Sequence, residues 1–189
     1  MMKAVQEKLL FLNKFLQDPR HIGSVTPSST CLARKMTEPV PWSRIAHIAE
    51  LGAGTGAITN YIHAARRSDT RVLLFEKDVS MREQLAGRFP DCSCHEDAAE
   101  LQTAMRREGI EQLDCILSGL PFFNFPQALR ERLMDQIAAS LKPGGLFIAF
   151  QYSQQMRKQL ATRFHIEHVH FVPLNFPPAF VYVCRKGEG

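Results

Sequence analysis

One stretch concentrates residue types that can do chemistry: Glu50-Leu51-Gly52-Ala53-Gly54-Thr55-Gly56. A short apolar run at 45–49 precedes it, and a helical pattern follows from about Ala57. Strand, glycine loop and helix in that order open a nucleotide-type site on an open α/β sheet. Gly52 and Gly54 let the chain turn sharply and let a ligand reach main-chain N–H groups with no Cβ in the way.

Glycine spacing alone leaves two ligands open. Gly52-x-Gly54-x-x-Ala57 fits the dinucleotide pattern, so a nicotinamide cofactor is one reading. Glu50, expected to aim its carboxylate into the loop, favours the other. A pyrophosphate would be repelled there, whereas the sulfonium and ammonium of S-adenosylmethionine would be attracted. Glu76 lies 20 positions after Gly56, at the end of the apolar strand 71–76. That is the spacing at which a carboxylate accepts from ribose hydroxyls, and it fits either ligand. Further candidates follow in the order expected of one sheet edge: Asp97-Ala98, Ser118-Gly119-Leu120-Pro121 with Phe122 and Phe123, and Tyr152.

The elements that must position these groups are legible in the periodicity. Strands are expected near 45–49, 71–76, 91–95, 113–118, 146–151, 164–172 and 179–185. Helices are expected at 30–36, 57 onward, 79–89, 101–108, 127–141 and 154–163. Lys142-Pro143-Gly144-Gly145 reads as a tight turn into the fifth strand. Residues 3–17 carry apolar side chains at helical spacing (Val5, Leu9, Leu12, Leu16) with a basic rim, and Asp18-Pro19 ends that helix. Such a helix either packs on the body of the protein or lies in an anionic lipid surface. The expected division is an amphipathic helix and cap segment at 1–42 and a ligand-binding domain at 43–189.

Charge and cysteine usage narrow the setting. Residues 1–48 hold seven basic and three acidic side chains, and the remaining 141 residues hold sixteen of each. The whole excess of +4 therefore precedes the glycine loop, which implies an anionic partner, either a membrane surface or a phosphate backbone. Five cysteines with no CxxC spacing, no bilayer-length apolar run and no signal peptide imply a cytoplasmic protein. His165, His168 and His170 lack a partner at ligand spacing, so no metal is expected.

These pieces carry a resemblance. Glu50-Leu-Gly-Ala-Gly-Thr-Gly56 and Lys142-Pro-Gly-Gly145 resemble the motifs of class I S-adenosylmethionine-dependent methyltransferases. Phe15-Leu-x-x-Pro19, Gly23-Ser-Val-Thr-Pro-Ser-Ser29, Ser118-Gly-Leu-Pro121 and Asn175-x-Pro-Pro-Ala179 look like the bacterial phospholipid N-methyltransferases. Those act on phosphatidylethanolamine and are similar to the ribosomal RNA adenine dimethyltransferases. The resemblance implies a Rossmann-like α/β fold, a seven-stranded mostly parallel sheet with an antiparallel final strand, plus N-terminal helices. It implies S-adenosylmethionine held by Glu50, Gly52, Ala53, Gly54, Thr55 and Gly56, by Glu76 and Lys77, by Asp97 and Ala98, and by Ser118, Gly119 and Leu120. Substrate contacts are expected from His21, Ser24, Pro121, Phe122, Phe123 and Asn175. Ser118 and Tyr152 are the expected catalytic groups, with His21 a second candidate base. The implied reaction is N-methylation of a lipid amine by a peripheral protein at the inner membrane face. RNA, a small molecule, and nicotinamide oxidoreduction stay as alternatives. Ser118 stands where adenine-N6 enzymes carry Asn or Asp, and serine is a weaker amine acceptor, which disfavours nucleic acid.

Overall fold

The computed structural model describes residues 30–188. The helix expected at 3–17, His21 and Ser24 lie outside the described residues. The strands are β1 (His47–Leu51), β2 (Arg71–Phe75), β3 (Ser93–His95), β4 (Leu113–Ser118), β5 (Leu141–Gln151), β6 (His165–Val172) and β7 (Ala179–Arg185). The helices are α1 (Thr30–Thr37), α2 (Ala57–Ala65), α3 (Val79–Arg88), α4 (Leu101–Arg107), α5 (Gln127–Ser140) and α6 (Arg157–Ala161).

All seven strands join one sheet in the order β3-β2-β1-β4-β5-β7-β6, and β7 runs opposite to the other six, so the β5–β7 and β7–β6 pairs are antiparallel. This is the sheet expected from the sequence. Every residue of β4 is buried, and only the first of β2 is exposed. Strands covered on both faces need such near-continuous apolar runs. One face carries α1, α2 and α3, whose Leu32, Met36, Ile58, Ile62 and Leu85 pack on Ile48, Leu74 and Ile148. The other carries α4, α5 and α6, whose Leu101, Met134, Ile137 and Leu160 pack on Leu51, Ile116 and Phe147.

Two boundaries differ from expectation. Lys142-Pro-Gly-Gly145 is not a turn outside the strand but an irregularity within β5. The pairing of β4 with β5 shifts between Leu113 and Cys115 there. Bonds from Gly144 N–H to Lys186 O (3.1 Å) and from Lys186 N–H to Gly145 O (2.9 Å) keep the segment in the sheet. The helix expected over 154–163 is confined to Arg157–Ala161, because 152–156 are bends and turns.

Asp114 fastens the amino ends of three strands. Its carboxylate accepts from Ala46 N–H (2.7 Å) and His47 N–H (2.8 Å), and it pairs with Lys142. Burial alone would raise its pKa, but the Lys142 ammonium and the two N–H groups together hold it below the ordinary carboxylate value. Asp114→Ala is expected to lower unfolding free energy by about 2–3 kcal/mol near neutral pH, read by urea denaturation. A depressed native pKa stabilises the fold above the unfolded value, so the difference should shrink as pH falls through the native pKa. An unchanged urea midpoint would show that the latch contributes nothing.

Candidate active site

Strand order reverses between β1 and β4, which places the turns after these two strands side by side. A sheet of this kind binds ligands at such a crevice. Gly119 N–H donates to Leu51 O at 2.9 Å and ties the two turns together. After β1 the chain leans over β2, with Gly52 and Ala53 N–H both donating to Phe75 O (2.8 and 3.0 Å). Gly52 has φ +76°, and a Cβ there would stand 3.0 Å from Leu120 Cδ2. Positive φ and close approach both require glycine.

Glu76 organises the next layer. Its Oε2 accepts from Gly54 N–H at 2.7 Å and its Oε1 from Asp78 N–H at 2.9 Å. One carboxylate thus holds the glycine loop and the entry to α3. Asp97 lies beyond β3, where its Oδ1 accepts from Ala99 N–H at 2.8 Å. On the β4 side Leu120 N–H donates to Ser118 Oγ (3.2 Å), and Gln151 Nε2 donates to Leu120 O (2.8 Å).

Together these turns enclose a cavity of about 310 Å³. Gly52, Glu76, Lys77, Asp97 and Ala98 line one side, as do Gly119, Leu120 and Pro121 from the sheet's centre. Five further lining residues were not expected from sequence: Phe75, Glu96, Phe125, Leu129 and Leu133. The i,i+4 pair Leu129/Leu133 on α5 was the readable signal. A second cavity of about 320 Å³ opens between α4 and α5, at the amino ends of β4 and β5, away from these turns.

Several expected residues stand elsewhere. Thr55 is exposed and Gly56, also outside the cavity, opens α2. Ala53 is buried with the α1–α3 face. Ser118 is fully buried, and its hydroxyl is turned back onto its own loop. Phe122 is core: it packs edge-on against Phe125 (6.3 Å) and Phe147 (6.2 Å), while Phe123 is half exposed. Asn175 is buried and donates to Pro177 O (2.7 Å), shaping the β6–β7 turn. Tyr152 packs edge-on against Phe150 on the α1–α3 face, outside the cavity lining, and burial raises its phenol pKa. A raised phenol is a poor base at neutral pH.

Glu50 corrects its expectation most. Its carboxylate does not enter the loop. Strand alternation turns it to the α1–α3 face with Ile48, fully buried. Oε2 accepts from Thr59 Oγ1 at 2.6 Å, while Oε1 has no partner among the described residues. Burial pushes its pKa up to about 8, partly opposed by the Thr59 bond and reinforced by the neighbouring Glu76 charge.

These residues fit S-adenosylmethionine. Glu76 and Asp97 flank a partly apolar cavity suited to adenosine, and the unpartnered oxygen of Glu50, buried outside that lining, suits a cationic group. Three carboxylates (Glu76, Glu96, Asp97) against one lysine in the lining disfavour a pyrophosphate. When bound, the cofactor supplies a methyl group activated on sulfonium. Among the described residues no group of three His, Cys, Asp or Glu is placed to hold a metal.

Comparison with known proteins bears on the same point. No protein-family model matches the chain. The fold is similar to the N-methyltransferase NodS from Bradyrhizobium japonicum WM9 solved with S-adenosyl-L-homocysteine. The TM-score is 0.67 at 13% identity, over 89% of this chain and 92% of that one. It is also similar to TrmN from Thermus thermophilus, with TM-score 0.63 at 19% identity, over 92% of this chain and 52% of that one. An ornithine lipid N-methyltransferase from Singulisphaera acidiphila is 35% identical over 187 residues, covering 96% of this chain and 97% of that protein. Sheet order, glycine loop and acidic cavity are those of a class I S-adenosylmethionine-dependent methyltransferase. Within that class the chain belongs to the family of the Singulisphaera ornithine lipid N-methyltransferase.

Proposed function

We propose that this N-methyltransferase acts on the primary amine of an aminolipid head group, and that an ornithine lipid or phosphatidylethanolamine is the acceptor. The observation that carries this reading is the 35% identity to an ornithine lipid N-methyltransferase along nearly the whole of both chains. Base methylation is less well supported, because the Ser118 hydroxyl is buried in its own turn and does not present an acceptor to an exocyclic amine.

The residues divide the work between holding and excluding. Glu76 and Asp97 orient the adenosine half, and Glu50 holds positive charge. The apolar lining keeps water away. An alkylamine is protonated in water and must be neutral to attack. Phe125, Leu129 and Leu133 offer the amine an apolar wall that disfavours the ammonium, and the proton passes to bulk water before the neutral amine attacks.

The test is methyl transfer from labelled S-adenosylmethionine to vesicles holding ornithine lipid, phosphatidylethanolamine or neither, with ribosomal RNA as a fourth acceptor. Label is expected in an aminolipid arm. Label in RNA with none in either lipid would overturn the reading.

A further inference from the structure

Large apolar side chains are exposed at six positions among the described residues: Val79, Phe123, Leu129, Phe171, Leu174 and Phe176. Exposed apolar residues scattered singly over a surface need no explanation. These are not scattered. Val79 opens α3 directly after β2, Phe123 follows β4, and Leu129 lies in the first turn of α5. Gln151, the last residue of β5, pairs with Phe180 on β7, and Val172 on β6 pairs with Ala179. The β6–β7 turn therefore lies at the same end of the sheet, and it carries Leu174 (78% exposed) and Phe176 (60% exposed) beside Phe171. All six stand at the carboxyl ends of the parallel strands, the end at which the cavity opens. With strands about 4.8 Å apart, they span roughly 20 Å from β2 to β7.

Exposed cations share this end. Lys77 follows β2, and Arg157 and Lys158 begin α6 just beyond β5. None of the three joins an ion pair among the described residues. Two acids of the cavity lining, Glu96 and Asp97, are also exposed; Glu96 faces Arg82 at 3.9 Å, and Asp97 is engaged by Ala99 N–H at 2.8 Å.

We propose that this rim is the surface by which the protein docks on a bilayer containing anionic phospholipid. Phe123, Leu129, Phe171, Leu174 and Phe176 enter the interfacial layer, and Lys77, Arg157 and Lys158 face lipid phosphates. A peripheral protein binds through apolar burial plus attraction to anionic lipid, and the rim offers both. The cavity mouth then lies at head-group depth, so an amine reaches it without leaving the membrane. This rests on the aminolipid reading above; a soluble acceptor would need no apolar ring around the mouth.

The experiment uses the full chain and flotation with vesicles of phosphatidylcholine and phosphatidylglycerol. The double variant Leu174→Glu/Phe176→Glu is expected to lower vesicle partitioning at least about tenfold. Its S-adenosylhomocysteine affinity should stay at the wild-type value, which shows that the fold is intact. Leu174→Ser/Phe176→Ser, which adds no charge, should give a smaller loss in the same direction. Arg107→Glu, at the opposite end of the sheet, should change nothing. Activity is then compared on vesicles and on a short-chain aminolipid below its micelle concentration. Loss on vesicles with retention on the monomer supports docking. Unchanged flotation of both rim variants overturns it, as does a wild-type dimer in solution that the rim variants convert to monomer. If the wild type methylates neither lipid form, the acceptor reading fails, whatever flotation shows.

Discussion

Glu50→Gln is expected to make the protein more stable at pH 8 and poorer at binding its cofactor. Glu50 is fully buried with one oxygen unpartnered, and its pKa stands near 8 against an ordinary 4.5. The native state therefore keeps a proton that the unfolded chain releases between those values. Stability must fall as pH rises through that window, with a slope of up to about 1.4 kcal/mol per pH unit from this group. Glutamine keeps the shape and an acceptor for Thr59 but cannot ionise, so the variant's stability should be flat where the wild type declines. The cost is functional. A cation brought against Glu50 finds a neutral amide, and affinity for S-adenosylhomocysteine should drop about 100-fold, or about 2.7 kcal/mol. Calorimetry in buffers of different ionisation enthalpy should also show the wild type releasing a proton on binding near pH 7, and the variant none. Equal affinity in the two proteins would remove Glu50 from the binding site.

Glu76→Ala is expected to cost as much affinity by another route. Its two oxygens already hold Gly54 N–H and Asp78 N–H, so it fixes the loop, in addition to the ribose contact proposed for it. Removing it should weaken S-adenosylhomocysteine binding about 100-fold and lower stability by about 1–2 kcal/mol, as two N–H groups lose a charged acceptor. Glu76→Gln keeps one carbonyl oxygen and should lose only about tenfold. Titration calorimetry with both variants gives the ordering; identical losses would show that the loop, rather than the ribose contact, dominates.

The glycine loop, Glu76 and the turn at 118–121 were legible because their chemistry is local. A strand end, a tight turn and a fixed spacing suffice to place them. Side-chain direction was legible only in part. The two-residue alternation of β1 puts Glu50 with Ile48, away from the loop, but the attraction of a carboxylate beside three glycines hides that. Phe122 and Phe123 are indistinguishable in sequence, and only the packing of Phe125 and Phe147 decides which of them is core. Leu129 and Leu133 show an apolar face through their i,i+4 spacing, but only the return of α5 across the sheet says that this face meets the cavity, and Glu96 joins it from the turn after β3. The apolar rim is of the same kind. Its members are spread from Val79 to Phe176, and only the sheet order brings them to one end.

The Gln151–Leu120 bond has a mechanical consequence. It joins the end of β5 to the cavity wall, so displacing the 119–121 turn from the adjoining β5–β7 sheet requires breaking this bond. A wall pinned in this way resists being pushed outward on its own, so the cavity's width on that side is set by the register of the sheet rather than by the loop alone.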